Sequence, residues 1–340
     1  MRKLRFLAFM ILACTVVACS LRAPAAAPAP AASATTSGRK SGTIRVGLSG
    51  TSNMRNVPLL MALDALKVQG YSVEVTTFAK TELAQTAMIN GDTDIVAANV
   101  NNVATLVSKG ADIRSIVGST NMSFYLVVKQ AIKSCRDLNG RPLAFSNRQS
   151  IGYIMFAKYM KDNCPDVAPQ IVLIPDSPNR LAAMLTGEID GAYLEVDDWL
   201  QLQRQAPGKL QILIDFVKVL PNMQVFTFGV RREWAQQHPE MVKDFIRELL
   251  LAERRVLGSQ ELLGDESEKR LELDKAAAQE GSQAYISLGM WDVNGGLAME
   301  KVKNAMDVLA EAASVPQGVK AEDILDLSYL NAVLDEIGRK

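Results

Sequence analysis

The chain has 340 residues, 37 Lys and Arg against 37 Asp and Glu, 48% hydrophobic residues, one His and four Cys. That is enough apolar content for a sizeable core, and the length suits about two domains. Balanced charge removes the electrostatic basis for a nucleic-acid partner, and a single His removes most zinc chemistry and most His-based acid–base mechanisms. Neither a metal, a cofactor nor a catalytic centre is predicted.

At the start, Arg2, Lys3 and Arg5 precede the uncharged apolar run 6–18, the pattern of an export signal. The run is too short for a spanning helix, which needs about 17–25 residues. It ends in Val16-Val17-Ala18-Cys19, which resembles the bacterial lipobox, so residues 1–18 are expected to be removed and Cys19 to carry lipid, palmitate included, as the mature N-terminus. Residues 19–42 are rich in Ala, Pro and Ser and contain no acid. Such a segment buries too little apolar surface to fold and is predicted to be a tether, its bases favouring anionic headgroups.

From Thr43 the spacing alternates strand and helix. Strands are predicted at 43–48, 73–78, 94–98 and 113–118, with helices over 57–68, from about Thr81, which can cap the first turn, and over 101–109. A similar unit follows, with strands at 141–145, 170–174, 191–194 and 210–215 and helices over 149–162, 179–186 and 197–205. After a strand at 225–230 come long helices, the clearest opening at Pro239, where a missing N–H costs nothing. Strands alternating with helices predict mostly parallel sheets covered on both faces.

Met88-Ile89-Asn90-Gly91-Asp92-Thr93-Asp94 has an echo in Met184-Leu185-Thr186-Gly187-Glu188-Ile189-Asp190. With Asp137-Leu138-Asn139-Gly140-Arg141 and His238-Pro239-Glu240, these segments resemble the class 2 periplasmic solute-binding proteins, in the nitrate/sulfonate/thiamine-precursor family of ABC-importer receptors. The resemblance implies an α/β, two-lobed periplasmic-binding-protein type II fold with C-terminal helices. Lobe 1 would take residues 43–122 and 226–340, lobe 2 residues 123–225, with crossing strands near 123–129 and 224–229. It further implies a non-enzymatic receptor on the extracytoplasmic face of the cell membrane, partnered by an ABC permease and ATPase. A fungal branch resembling the family makes the thiamine pyrimidine with a Cys-rich motif that is absent here.

Other chemistry is thin. Gly47-Leu48-Ser49-Gly50-Thr51 lacks the last Gly of a nucleophile elbow, no phosphate-binding Gly motif occurs, and His238 reads as a surface cap. Cys135 and Cys164 are expected to pair in an oxidising compartment, away from the ligand end of the sheet. In open α/β sheets ligands sit beyond the strands' C-terminal ends. That rule selects loops rich in amides, Asn53, Asn99, Asn101, Asn102, Asn121, Asn147 and Gln149, together with Arg55, Ser146, Ser150 and Glu195. Tyr153 and Trp199 are candidate stacking partners. Amides match the mixed donors and acceptors of a heterocycle, and a carboxylate at Glu195 opposes a bare anion. The expected ligand is therefore a vitamin-type heterocycle such as riboflavin or a thiamine pyrimidine, with an aliphatic sulfonate, taurine or nitrate as the alternative, and a pyrimidine-synthase-like enzyme as the alternative class.

Overall fold

Among the described residues, the alternation of apolar strand cores with amphipathic helices resolves into ten strands and fourteen α-helices. The computed structural model describes residues 40–50 and 52–340. The expected signal, Cys19 and the tether up to residue 39 lie outside them. Lys40 is already attached to the body: its N–H donates to the Gln69 carbonyl and its ammonium lies 2.9 Å from Asp244.

The strands are β1 (Thr43–Ser49), β2 (Ser72–Phe78), β3 (Ile95–Asn99), β4 (Ile113–Gly118), β5 (Phe124–Lys129), β6 (Pro142–Phe145), β7 (Gln170–Leu173), β8 (Gly191–Glu195), β9 (Leu210–Asp215) and β10 (Phe226–Arg231). They form two five-stranded sheets of matching order, β2-β1-β3-β10-β4 and β7-β6-β8-β5-β9. In each sheet one strand runs against the other four, β10 in the first and β5 in the second. The sheets are thus mostly parallel, as the two-lobed expectation required. The crossings differ from the expected ones. β5 and β10 each stay within one sheet, so the chain passes between lobes in the segments 119–123 and 220–225 that precede them.

The first sheet is covered by α1 (Val57–Gln69), α2 (Thr81–Asn90) and α3 (Val100–Ser108), and the second by α4 (Ile151–Asn163), α5 (Ser177–Thr186), α6 (Val196–Gln205) and the short α7 (Phe216–Val219). The rest of the chain forms α8 (Arg232–Gln237), α9 (Pro239–Leu257), α10 (Gln260–Leu271), α11 (Lys275–Ser287), α12 (Met299–Glu311), α13 (Ala321–Ile324) and α14 (Ser328–Ile337). α9 buries Val242, Phe245, Ile246, Leu249 and Leu250 at helical spacing and packs on α1, while α11 reaches α6 and α12 reaches α4. His238 takes the N-cap position of α9, but its imidazole makes no capping bond and packs on Trp234, with ring centroids 5.2 Å apart.

The sequence echo is structural. α2 and α5 each end on a glycine in the left-handed region, Gly91 at φ 85° and Gly187 at φ 81°, where a Cβ is disfavoured. Each turn delivers a carboxylate to the start of the central strand. Asp94 accepts from the Arg45 N–H, Nε and Nη2 at 2.9, 3.0 and 2.6 Å. Asp190 accepts from Lys129 Nζ at 2.6 Å and Arg141 Nη1 at 3.2 Å. At the same pole of lobe 2, Cys135 and Cys164 form a disulfide with Cα atoms 6.2 Å apart.

Candidate functional site

Strand-to-helix corners place backbone N–H groups and polar side chains at the strands' C-terminal ends, so both lobes direct helix N-termini into the cleft between them. The inner cleft is a cavity of 240 Å³ lined from lobe 1 by Ser49, Lys80, Thr81 and Asn99 and from lobe 2 by Ser146, Asn147, Ser150 and Glu195. Ser49 and Thr81 share a hydroxyl–hydroxyl bond of 3.0 Å. Thr81 is therefore the first residue of α2 rather than its cap, a position taken by Lys80. Ser150 caps α4, accepting from the Tyr153 N–H, and its own hydroxyl donates to the Asn147 carbonyl. The close approach of α4 requires Gly152, since a Cβ there would stand 2.2 Å from the Tyr193 ring.

The floor of the cleft is aromatic, formed by Phe124, Tyr193 and Phe226. Phe124 stacks on Tyr193 with centroids 4.7 Å apart and lies 5.5 Å from Phe226. Sequence reasoning sought aromatic contacts on helices and missed these strand residues.

The two lobes meet at Glu195. Its carboxylate accepts from Asn53 Nδ2 at 2.8 Å and lies 2.8 Å from Arg55 Nη1, so the acid expected to face a ligand alone is paired across the cleft. Beside it lies a further 450 Å³ of cavity lined by Asp176, Asp197 and Asp198 together with Arg204. Burial, reinforced by the Glu195 charge, pushes the Asp197 carboxyl up to about 7. Burial raises Asp198 as well, with Glu195 again adding to it. Two more pairs join the lobes, Arg204 with Glu280 and Lys158 with Glu311 at 2.6 Å.

Arg180 was missed by sequence reasoning. It is 7% exposed and lines both parts of the cleft. Its guanidinium donates to the carbonyls of Tyr193, Ile174 and Pro175 and to the Ser177 hydroxyl. Burial lowers its pKa. The available signal was a lone Arg in the opening turns of a helix, where positive charge opposes the helix dipole and needs a local reason.

Four expected residues lie elsewhere. Asn101 faces an outer cavity, its Nδ2 bonded to the Ser314 hydroxyl at 3.0 Å. Asn121 is not in the cleft: its Nδ2 donates to the Gly289 carbonyl at 2.7 Å, fastening the C-terminal region to the first crossing segment. Tyr153 faces an outer cavity, its hydroxyl accepting from Arg148 Nη1 at 2.7 Å. Trp199 lines a groove on the far side of lobe 2 with Gln203 and Pro207. In each case the residue was assigned to the correct end or element, but its side chain leaves on another face.

Comparison with known proteins places this geometry among relatives. The Escherichia coli (strain K12) taurine-binding periplasmic protein is 26% identical over 194 residues, covering 55% of this chain and 58% of the relative. The chain thus matches a little over half the length of that protein. Among solved structures, the periplasmic aliphatic sulphonate-binding protein of Escherichia coli superimposes with a TM-score of 0.64 at 15% identity, covering 83% of this chain and 97% of that one. The periplasmic nitrate-binding protein of Synechocystis PCC 6803 gives a TM-score of 0.66 at 12% identity, covering 87% and 89%. At those identities the structures establish the fold, which is that of the periplasmic binding proteins. Residues 66–254 match the family described as NMT1/THI5 like, more than half of the chain, and the chain belongs to that family.

Proposed function

We propose that the chain is the solute-capturing component of an ABC importer, that it works by binding and not by catalysis, and that its ligand is a small organic sulfonate of the taurine type. The observation that carries the ligand class is the Arg55–Glu195 pair. The case for a heterocycle rested on the loop amides, on an unpaired Glu195 and on Tyr153 and Trp199; Asn99, Asn102, Asn147 and Gln149 do line the inner cleft, but Glu195 is paired and neither aromatic residue stands there. With Glu195 neutralised, a sulfonate meets mainly donors: the helix N-termini at Thr81 and Ser150 and the buried Arg180. A sulfonate offers acceptors only, which suits such a set. Acids flank the cleft at both ends, Glu82 on one side and Asp197 on the other, so an anion that also carries an N–H donor fits better than nitrate. The taurine- and sulphonate-binding relatives support the same class. The only His and the two Cys of the body line neither part of the cleft, which favours a receptor over a family-related enzyme.

Calorimetric titration with taurine, an alkanesulfonate, nitrate, riboflavin and the thiamine aminopyrimidine tests the reading. Taurine is expected to bind tightest. Glu195→Gln should weaken it about tenfold, or about 1.4 kcal/mol, by breaking the pair that holds the lobes together. Binding of riboflavin or the pyrimidine without any sulfonate would overturn the assignment.

The same proposal holds the receptor at the extracytoplasmic face through lipid on Cys19. No helix among the described residues is long and apolar enough to cross a membrane. Cys19→Ala should release the protein from the membrane fraction, and a diacylglyceryl-modified N-terminus persisting in that variant would refute the anchor.

A further inference from the structure

The inner cleft is not the largest cavity between the lobes. A vestibule of 740 Å³ opens beyond it, between α2, α3 and the end of α12 on one side and α4 on the other. The two cavities share Glu82, Asn102 and Gln149, which form a polar throat. The inner cleft, at 240 Å³, falls below the range of about 300–1,000 Å³ in which proteins enclose drug-sized ligands, whereas the vestibule falls inside it.

Three features make the vestibule more than open solvent. Lys109, Arg148 and Lys161 lie on its wall without an ion-pair partner among the described residues, whereas Lys158 is taken by Glu311 and Asp162. Arg148 is ordered over an aromatic ring, its guanidinium carbon 5.3 Å from the Tyr153 centroid. On the opposite wall Gln85 and Asn101 are 3% and 4% exposed, and each keeps a buried polar atom without a partner, the donor Nε2 of Gln85 and the acceptor Oδ1 of Asn101. Buried amide atoms left unpaired cost about 1–3 kcal/mol each, so this wall is held in place at a cost the core alone does not explain.

We infer that the natural ligand is longer than taurine: an N-substituted aminosulfonate whose sulfonate sits in the inner cleft, whose N–H passes the Glu82 throat, and whose polar, acidic or aromatic body fills the vestibule. The inference rests on the sulfonate reading above and extends it. The cationic wall selects a distal carboxylate or comparable anion, and the Arg148–Tyr153 pair offers a flat surface for a ring.

The test compares taurine with N-(4-carboxybenzoyl)taurine by calorimetry, in the full folded protein and in Arg148→Ala, an exposed position whose loss leaves the core intact. The aroyl compound is expected to bind at least about tenfold tighter than taurine, and the ratio should fall toward one in Arg148→Ala. Taurine binding with no gain from the added body, or a gain that survives Arg148→Ala, would overturn the inference while leaving the sulfonate reading standing. Failure of both compounds to bind would overturn both.

Discussion

The two lobes repeat one scaffold and divide the chemistry unequally. In lobe 1 the corner from β3 into α3 reads Asn99-Val100-Asn101-Asn102, and in lobe 2 the equivalent corner from β8 into α6 reads Glu195-Val196-Asp197-Asp198. Every amide of the first has become an acid in the second. The helices before these corners show the same asymmetry, since the buried Ala84 of α2 occupies the position that Arg180 takes in α5. At the opposite pole the lobes agree: Asp94 and Asp190 both tie the turn to neighbouring cations. The repeat therefore conserves the device that closes the fold and varies the end that meets the ligand.

Supports for the lobes also differ, and this gives the largest expected effect. Lobe 1 is buttressed by α9 and α14, whereas lobe 2 has a disulfide closing 29 residues of sequence separation. On the loop-entropy account such a bridge contributes about 3–4 kcal/mol. The double variant Cys135→Ser, Cys164→Ser should lower unfolding free energy by about that amount, with hydrogen exchange accelerated in β6, α4 and β7 and little changed in β1 to β3. Two free thiols in unfolded, unreduced wild-type protein would remove the bridge from the account, and uniform acceleration in both lobes would remove the contrast.

The shared pole sharpens the comparison at the next level. Asp94 is almost fully buried and holds a backbone N–H as well as a guanidinium. Asp190 holds two side chains that can turn to water. Asp94→Ala leaves the Arg45 N–H stranded and should cost about 3 kcal/mol, against about 1 kcal/mol for Asp190→Ala. Denaturant unfolding of the two variants reads the difference directly, and equal losses would mean that the two turns carry equal weight.

Much of this was legible in the sequence because periodicity, turn glycines and strand ends are local signals. The echo around Gly91 and Gly187 marked the repeat, and the strand-end rule brought Asn99, Ser146, Asn147, Ser150 and Glu195 to one cleft. Side-chain direction was not local. Tyr153 lies one helical turn too far out to reach the inner cleft, and Trp199 leaves the opposite face of α6. Asn121 follows a strand end, as required, yet its amide is spent on Gly289, a residue far along the chain. The state of Glu195 was illegible for the same reason: Asn53 and Arg55 reach it from the other lobe, and only the assembled cleft cancels its charge.

The acidic corner supplies the most specific prediction. Asp197 is half-buried beside Glu195, and burial together with that neighbouring charge raises its pKa from 3.8 to about 7. A folded-state value above the unfolded one means that the native carboxyl keeps a proton the unfolded chain has already lost. Its contribution is therefore complete below about pH 4 and is lost as pH rises through about 7. Asp197→Asn gives lobe 2 the amide that lobe 1 carries at Asn101 and removes the ionisation. Relative to wild type, the variant should gain stability on going from pH 4 to pH 8, visible as a flatter dependence of Tm on pH. A gap between variant and wild type that stays constant across that range would show that the Asp197 carboxyl titrates alike in the folded and unfolded chain. The two corners would then differ in ligand contacts alone and not in the stability of the closed cleft.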